Sequence, residues 1–390
     1  MLVKPELVAS TLNLEEKIPL VSLPKKQHRI LRLNSICPYY TMFPLEFPFN
    51  SLYSAHIGDW VLDPFCGRGT TNFAARLRGL PSIGLDANPV ATAVARAKFV
   101  NTTPKKIFRI CQKILAENRE PDSIPGGEFW DLCYHPETLR QITQIRDSLL
   151  EECSTPERKA LLATMLGILH GPVMKGEPSY LSNQMPRTYA TKPGPAIKYW
   201  NKKGNNPRYI DVLGLVKRRT NFVFSLLPPA VEGEAFVFDG RIDFKKVVKK
   251  NFKWVITSPP YYGMRSYVPD QWLRYWFVGG PPVVVYDQER FIRHNSIEHF
   301  IEDLARVWKN TALVCDSGAH LFIRFGTLPS LNKEPASVLT ESIRKSECGW
   351  CIKSVVPAGN AGRGRRQSDQ FLQETSTPCE EIDLCAVLER

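Results

Sequence analysis

The chain has 390 residues, with 51 Lys and Arg against 39 Asp and Glu, a formal net charge of +12. Hydrophobic residues at 43% and charged residues at 23% exclude wholesale disorder, and no run approaches the ~18 apolar residues of a membrane span. The cation excess points to a polyanionic partner, most simply nucleic acid. The first 20 residues carry Glu6, Glu15 and Glu16 and no apolar core of a secretory signal, so a cytoplasmic location is expected.

The first strong pattern is Trp60-Val-Leu-Asp-Pro-Phe-Cys-Gly-Arg-Gly-Thr-Thr71. Trp60 to Asp63 reads as a buried strand, followed by a glycine turn and an amphipathic helix from Thr70 to about Arg78, stopped by Gly79. Pro81 to Asp86 reads as a second buried strand ending in an acid. Asn88-Pro89 suits a helix cap and first helical position, with a helix from Val90 to Val100. This β-α-β-α start predicts a parallel sheet.

From about 101 to 232 the pattern changes to helices and loops with no convincing strand. Residues 137–171 read as helical. A basic segment follows from Lys175 to Arg219, interleaved with Tyr180, Tyr189, Tyr199, Trp200 and Tyr209. The α/β rhythm resumes with strands at Ala235–Asp239 and Trp254–Tyr261. A helix is expected at Ile297–Val314, and strands at Leu321–Phe325, Cys351–Val356 and Glu381–Leu388. The lysines 245, 246, 249 and 250 have helical spacing and read as a solvated face. The cysteines are scattered. Cys348-Gly-Trp-Cys351 has no second pair for zinc and lies at a strand rather than a helix start, so free thiols are expected.

Open α/β sheets bind ligands at the carboxyl ends of their strands, and Gly67 and Gly69 would let backbone approach a ligand closely. Asp86, at the tip of the next strand, suits the two hydroxyls of a ribose. These features indicate an adenosine-containing cofactor. The loop Phe-x-Gly-x-Gly and the strand-end acid Asp63 favour a cationic methionine moiety over a pyrophosphate: Asp63 would meet its ammonium, and Phe65 could face a sulfonium. In Thr257-Ser-Pro-Pro-Tyr-Tyr262 two prolines fix the backbone at the sheet's mouth. Ser258 and the Pro259 carbonyl can accept the two N–H bonds of a planar amine, and Tyr261 offers a stacking face for an extruded base.

Together, Asp63-Pro-Phe-Cys-Gly-Arg-Gly-Thr-Thr71 and Thr257-Ser-Pro-Pro-Tyr261 resemble the bacterial DNA amino-methyltransferases, over roughly 30–100 and 233–390. The resemblance implies an α/β, Rossmann-like class I methyltransferase fold: a seven-stranded mixed sheet with an antiparallel last strand, here with a mainly helical insert. It implies S-adenosyl-L-methionine as cofactor, held around Asp63, Phe65, Gly67, Gly69, Thr70, Thr71, Asp86, Asn88, Asp239 and Thr257. Tyr40 and Met42, in Cys37–Pro44, match loosely a segment that closes over the methionine end. Ser258, Pro259, Pro260 and Tyr261 would form the catalytic loop. Ser at its first position implies N4 of cytosine in double-stranded DNA, with N6 of adenine as the alternative.

The resemblance divides the chain into an N-terminal segment (1–58), a catalytic domain (59–100 and 233–390) and an insert (101–232) expected to recognise the target. Asn183, Gln184 and Arg187 suit base edges, and Arg218 and Arg219 suit phosphates. In the loop after the sixth strand, Arg363, Arg365 and Arg366 would grip flanking phosphates. No metal is implied. Cys379 after Pro378 stands in the wrong element to be a carbon-5 nucleophile. Such enzymes imply a bacterial, nucleoid-associated location and a cognate restriction endonuclease as partner. The rival readings are an amino-methyltransferase acting on RNA or protein, a catalytically silent nucleic-acid-binding module and, more distantly, a nicotinamide oxidoreductase.

Overall fold

The computed structural model describes residues 20–39, 43–172, 176, 178–186, 192–263, 269–286, 291–326, 334–360 and 380–390. After a 3-10 helix (Arg29–Ser35) the chain forms α1 (Glu46–Ser51), β1 (Val61–Asp63), α2 (Thr70–Leu77), β2 (Ser82–Asp86) and α3 (Pro89–Arg96). The insert contributes α4 (Pro104–Ala116), α5 (Glu128–Cys133), α6 (Pro136–Glu151), α7 (Pro156–Ile168), α8 (Pro193–Lys203) and α9 (Val212–Val223). The chain closes with β3 (Gly233–Val237), β4 (Phe252–Thr257), α10 (Trp272–Phe277), α11 (Ile297–Ala312), β5 (Cys315–Gly326), α12 (Pro335–Ser346), β6 (Trp350–Asn360) and β7 (Glu380–Leu388).

The strands form one seven-stranded sheet in the order β3-β2-β1-β4-β5-β7-β6. Pairing is parallel from β3 across to β5, and β7 runs antiparallel to both its neighbours. This is the class I methyltransferase arrangement the motifs implied. The order reverses between β1 and β4, which are paired at Val61↔Trp254 and Leu62↔Val255. Crossovers leave that point in opposite directions, so a crevice opens outside the carboxyl ends of these two strands.

Side chains alternate across the sheet. Leu62 and Val255 face α11 and α12, while Val61, Trp254 and Ile256 pack with Phe47 and Leu52 of the α1 region and with Ala75 of α2. The insert helices share a single apolar core with α2, α3, α10 and the 3-10 helix. Buried Arg76 binds both ends of the insert. Its guanidinium donates to the carbonyls of Lys98 and Val100 at the start, and of Pro228 and Pro229 at the end. The N-terminal segment is held by buried Lys98, whose Nζ donates to the Leu33 carbonyl at 2.8 Å. Burial pushes the Lys98 ammonium well below its ordinary pKa.

Several boundaries differ from the sequence reading. The helical run 137–171 is two helices, because Thr155 caps a new start at Lys-bearing α7 with Pro156 in its first turn. β5 begins at Cys315, paired with Phe252 of β4, and β6 reaches Asn360, paired with Glu380 of β7, so strand pairing extends both beyond their apolar cores. Helix α12 has no counterpart in the reading. Its stripe of Val338, Leu339 and Ile343 is short, and burial against β5–β7 supplies the remaining stability. The lysine run carries only a single 3-10 turn, Phe244–Lys246, not a helix. The nine described cysteines are free.

Candidate active site

The loop after β1 places Asp63 fully buried at the strand end. Its Oδ1 accepts from the Phe65 N–H at 3.1 Å and from the Thr257 hydroxyl at 2.6 Å. Its Oδ2 is buried without a hydrogen-bond partner. Burial pushes the Asp63 carboxyl up to about 7, and the nearby Asp86 adds to the rise. The Thr257 and Thr71 hydroxyls and the Phe65 N–H oppose it. An unpartnered buried carboxylate oxygen is costly. A cation placed against it would remove that cost.

Gly67 and Gly69 stand at φ +49° and +78°, the left-handed region where glycine is favoured. A Cβ on Gly69 would also lie 2.9 Å from the Ala95 Cα, so the loop can sit this close to α3 only without a side chain. Asp86, partly buried at the end of β2, steadies the same loop. Its Oδ2 accepts from the Gly67 N–H and its Oδ1 from the Asn88 N–H, both at 2.8 Å. Burial pushes the Asp86 carboxyl up to about 6 against these two bonds. Asn88 caps α3 through the Val90 N–H, and its amide donates to the Tyr39 hydroxyl at 3.2 Å. Thr70 and Thr71 open α2 and are buried, and the Thr71 hydroxyl donates to the Ile256 carbonyl.

β4 delivers the Ser258–Tyr261 loop beside this pocket. Pro259 is buried, while Ser258, Pro260 and Tyr261 are partly exposed. The Tyr261 phenol donates to Glu381 Oε1 at 2.7 Å, and its ring meets Phe325 edge-on at 5.7 Å. Tyr262 stacks with His294 at 6.3 Å, and the Gly263 N–H donates to His294 Nδ1 at 3.2 Å. The turn is therefore braced on both sides by aromatic and polar contacts.

Asp239 lies just past β3, where the Phe238 N–H donates to the Asp86 carbonyl. The Asp239 carboxylate is gripped by Arg241, with Nε to Oδ1 at 2.9 Å and Nη2 to Oδ2 at 2.7 Å. Arg241 also reaches buried Asp303, which pairs with Arg293 at 2.8 Å. Burial works to raise the Asp303 carboxyl, and the two guanidiniums hold it below its ordinary value. Phe65, partly exposed, packs edge-on against Trp308 at 6.2 Å.

The structure thus brings Asp63, Gly67, Gly69, Thr71, Asp86, Asn88 and Thr257 together at the ends of β1, β2 and β4, with Asp63 bonded to Thr257 and Asp86 to Gly67 and Asn88, and with Asp239 one strand away. Tyr40, Met42, Arg187, Arg363, Arg365, Arg366 and Cys379 lie outside the described residues. Among the residues expected to meet DNA, Asn183 spends both amide N–H groups on the carbonyls of Leu132 and Asn205. Arg219 donates to the Ser35 and Ile36 carbonyls, and Arg218 to the Pro178 carbonyl. Gln184 is partly buried. Tyr39, Arg241, His294 and Glu381 were missed. Arg241 was legible in Asp-Gly-Arg, where an acid and a guanidinium two residues apart flank a glycine. His294 and Glu381 had no local signal, since their partners lie 31 and 120 residues away.

Residues 27–96 match a family of N6 and N4 methyltransferases described as DNA methylase. That stretch contains the Asp63 loop, Asp86 and Asn88. No curated protein matches the chain. Similar solved structures include TehB from Haemophilus influenzae, 8% identical, covering 88% of this chain and 61% of that one, with a TM-score of 0.35. TrmN from Thermus thermophilus is 9% identical over 92% and 53%, with a TM-score of 0.38. An rRNA methylase from Streptococcus thermophilus is 8% identical over 90% and 99%, with a TM-score of 0.33. The chain spans less than two thirds of the first two.

Proposed function

We propose that this chain, whose residues 27–96 carry the DNA methylase match, is an S-adenosylmethionine-dependent DNA amino-methyltransferase acting on N4 of cytosine in double-stranded DNA. The observation that carries the reading is the joining of Asp63 to Thr257 at the β1/β4 reversal. It sets a cation-seeking carboxylate beside an amine-holding turn.

The pocket suits the cofactor. Asp63 Oδ2 is available to an ammonium, the remaining lone pairs of Asp86 to ribose hydroxyls, and the glycine loop to a close-lying chain. When bound, S-adenosylmethionine supplies an electrophilic methyl group. The protein's own contribution is placement and electrostatics. Ser258 and the Pro259 carbonyl accept from the exocyclic amine, turning its lone pair towards the pocket. Tyr261, oriented by Glu381, receives the flipped base on its ring. Asp239, oriented by Arg241, would meet the adenine amine of the bound cofactor.

Incubation with S-adenosylmethionine and unmethylated genomic DNA, followed by nucleoside mass spectrometry, tests this. N4-methylcytosine is the expected product. N6-methyladenine would keep the reaction and overturn the cytosine assignment made from Ser258. Cofactor binding with no methylated DNA base would turn the reading to RNA, protein or a silent binder.

A further inference from the structure

The cations of this chain are distributed unevenly. Many of the insert's cations are paired: Arg119 with Glu151, Arg140 with Glu137, Arg146 with Asp147, Arg158 with Glu152 and Lys159 with Glu234. Three interlocked segments contain no Asp or Glu within their bounds, residues 25–35, α4 and α9, although Glu117 and Asp211 flank the two helices.

Helix α4 exposes Lys105, Lys106, Arg109 and Lys113. Lys105, Arg109 and Lys113 follow one another at four-residue steps, a row of charges about 6 Å apart along the helix. Helix α9 adds exposed Lys217 and Arg218, and its Lys217 Nζ lies 5.7 Å from the Phe108 ring of α4. The 3-10 region adds Lys25, Lys26 and Arg29, with Arg29 donating to the Ser225 carbonyl past the end of α9. Exposed Phe222 of α9 lies under the Arg32 guanidinium at 4.5 Å. Among the described residues, none of the α4 cations, nor Lys25, Lys26, Arg29 or Lys217, enters an ion pair.

Like charges this close repel within a Debye length of about 8–10 Å. Such a ridge lowers the protein's own stability and is relieved by a polyanion. It also has a fixed position relative to the pocket. Tyr39, which accepts from Asn88, lies four residues beyond Ser35 at the end of the 3-10 helix. Four extended residues span at most about 14 Å. One helical turn of duplex, about 34 Å, reaches from the ridge past the pocket.

We propose that this ridge, formed by the 3-10 region, α4 and α9, is a track for the sugar-phosphate backbone of duplex DNA flanking the base to be modified. The inference rests on the DNA-methyltransferase reading and adds a binding surface to it. Its contacts are electrostatic and independent of sequence.

The test uses the full chain and a fluorescent 30-base-pair duplex, with anisotropy measured from 50 to 300 mM KCl. The K105Q/R109Q/K113Q variant changes only outward-facing side chains. It is expected to bind the duplex ten-fold or more weakly at 100 mM salt. The slope of log K against log salt should fall by about 2 to 3, near 0.9 for each lost contact. S-adenosylmethionine binding by calorimetry and the melting temperature are the folding controls, and both should hold. K245Q/K246Q, outside the ridge, should leave the slope unchanged. An unchanged slope in the triple variant overturns the ridge, as does an equal loss in the control pair. Preference of the wild type for single-stranded RNA or anionic vesicles overturns the duplex assignment. Nucleoside mass spectrometry of the wild type separates the two ideas. Methylated DNA with an unaltered triple variant removes the ridge alone. A weakened triple variant with no methylated base removes the enzyme reading alone.

Discussion

The Thr257 hydroxyl donates to Asp63 Oδ1 at 2.6 Å across 194 residues of sequence. One bond joins the last residue of β4 to the last residue of β1. It couples the loop proposed to hold the cofactor to the turn proposed to hold the amine. It also orients the Asp63 carboxylate so that Oδ2 is the atom left without a partner.

The raised pKa of Asp63 predicts a pH dependence. With its carboxyl at about 7, the group is largely protonated at pH 6 and largely ionised at pH 7.5. A cationic ligand binds the ionised form. Affinity for S-adenosylmethionine should therefore rise about eight-fold over that interval, as the ionised fraction does. For stability the sign is opposite. A folded-state pKa raised above the unfolded value means that the ligand-free protein loses stability as pH rises through the window from about 4 to about 7. Stabilisation by the ligand should accordingly grow with pH. Calorimetric titrations at the two pH values check this, and a flat affinity would remove Asp63 from cation binding.

Thr257→Val removes the hydroxyl and keeps the volume near constant. Asp63 Oδ1 then keeps one fewer bond in a fully buried site. The expected stability loss above pH 7 is about 1–3 kcal/mol, and the Asp63 carboxyl should titrate higher still. Chemical denaturation would show the loss, and the pH midpoint of cofactor binding should move upwards.

Ser258→Ala should lower turnover by a factor of a hundred or more while leaving cofactor affinity within about two-fold. Ser258 lies on the turn proposed to hold the amine and, among the described residues, makes no hydrogen bond to Asp63 or Asp86. Steady-state rates beside calorimetry separate the two effects. Unchanged turnover would remove Ser258 from the mechanism.

Arg76→Met should be severe although Arg76 lies outside the proposed chemistry. Its guanidinium holds four backbone carbonyls where the insert leaves and rejoins the sheet. Burial pushes this guanidinium down to about 10, still charged at neutral pH. Losing it strands buried carbonyls, at about 3–5 kcal/mol. Urea unfolding should show that loss, with hydrogen exchange rising first at residues 98–100 and 228–229.

The parts of this protein that were legible in sequence are those governed by local rules. Trp60–Asp63 and Pro81–Asp86 are short apolar runs ending in acids, Gly67 and Gly69 mark a tight turn, and Asn88-Pro89 is a helix start. These depend on backbone propensity and on neighbours within a few residues. The paired motifs implied the fold class because each reads as a loop leaving the carboxyl end of a strand, and those strands, β1 and β4, are neighbours in the sheet. What only the tertiary structure decided is who meets whom across long separations. Arg241 takes the Asp239 carboxylate, Glu381 takes the Tyr261 phenol, and Arg76 ties off the insert. Asn183 and Arg219 have side chains suited to nucleic acid, and in the fold they donate to backbone carbonyls. Composition cannot separate those two uses, because the same donor serves either acceptor. The choice is made by whichever carbonyl the packed core brings within about 3 Å of it.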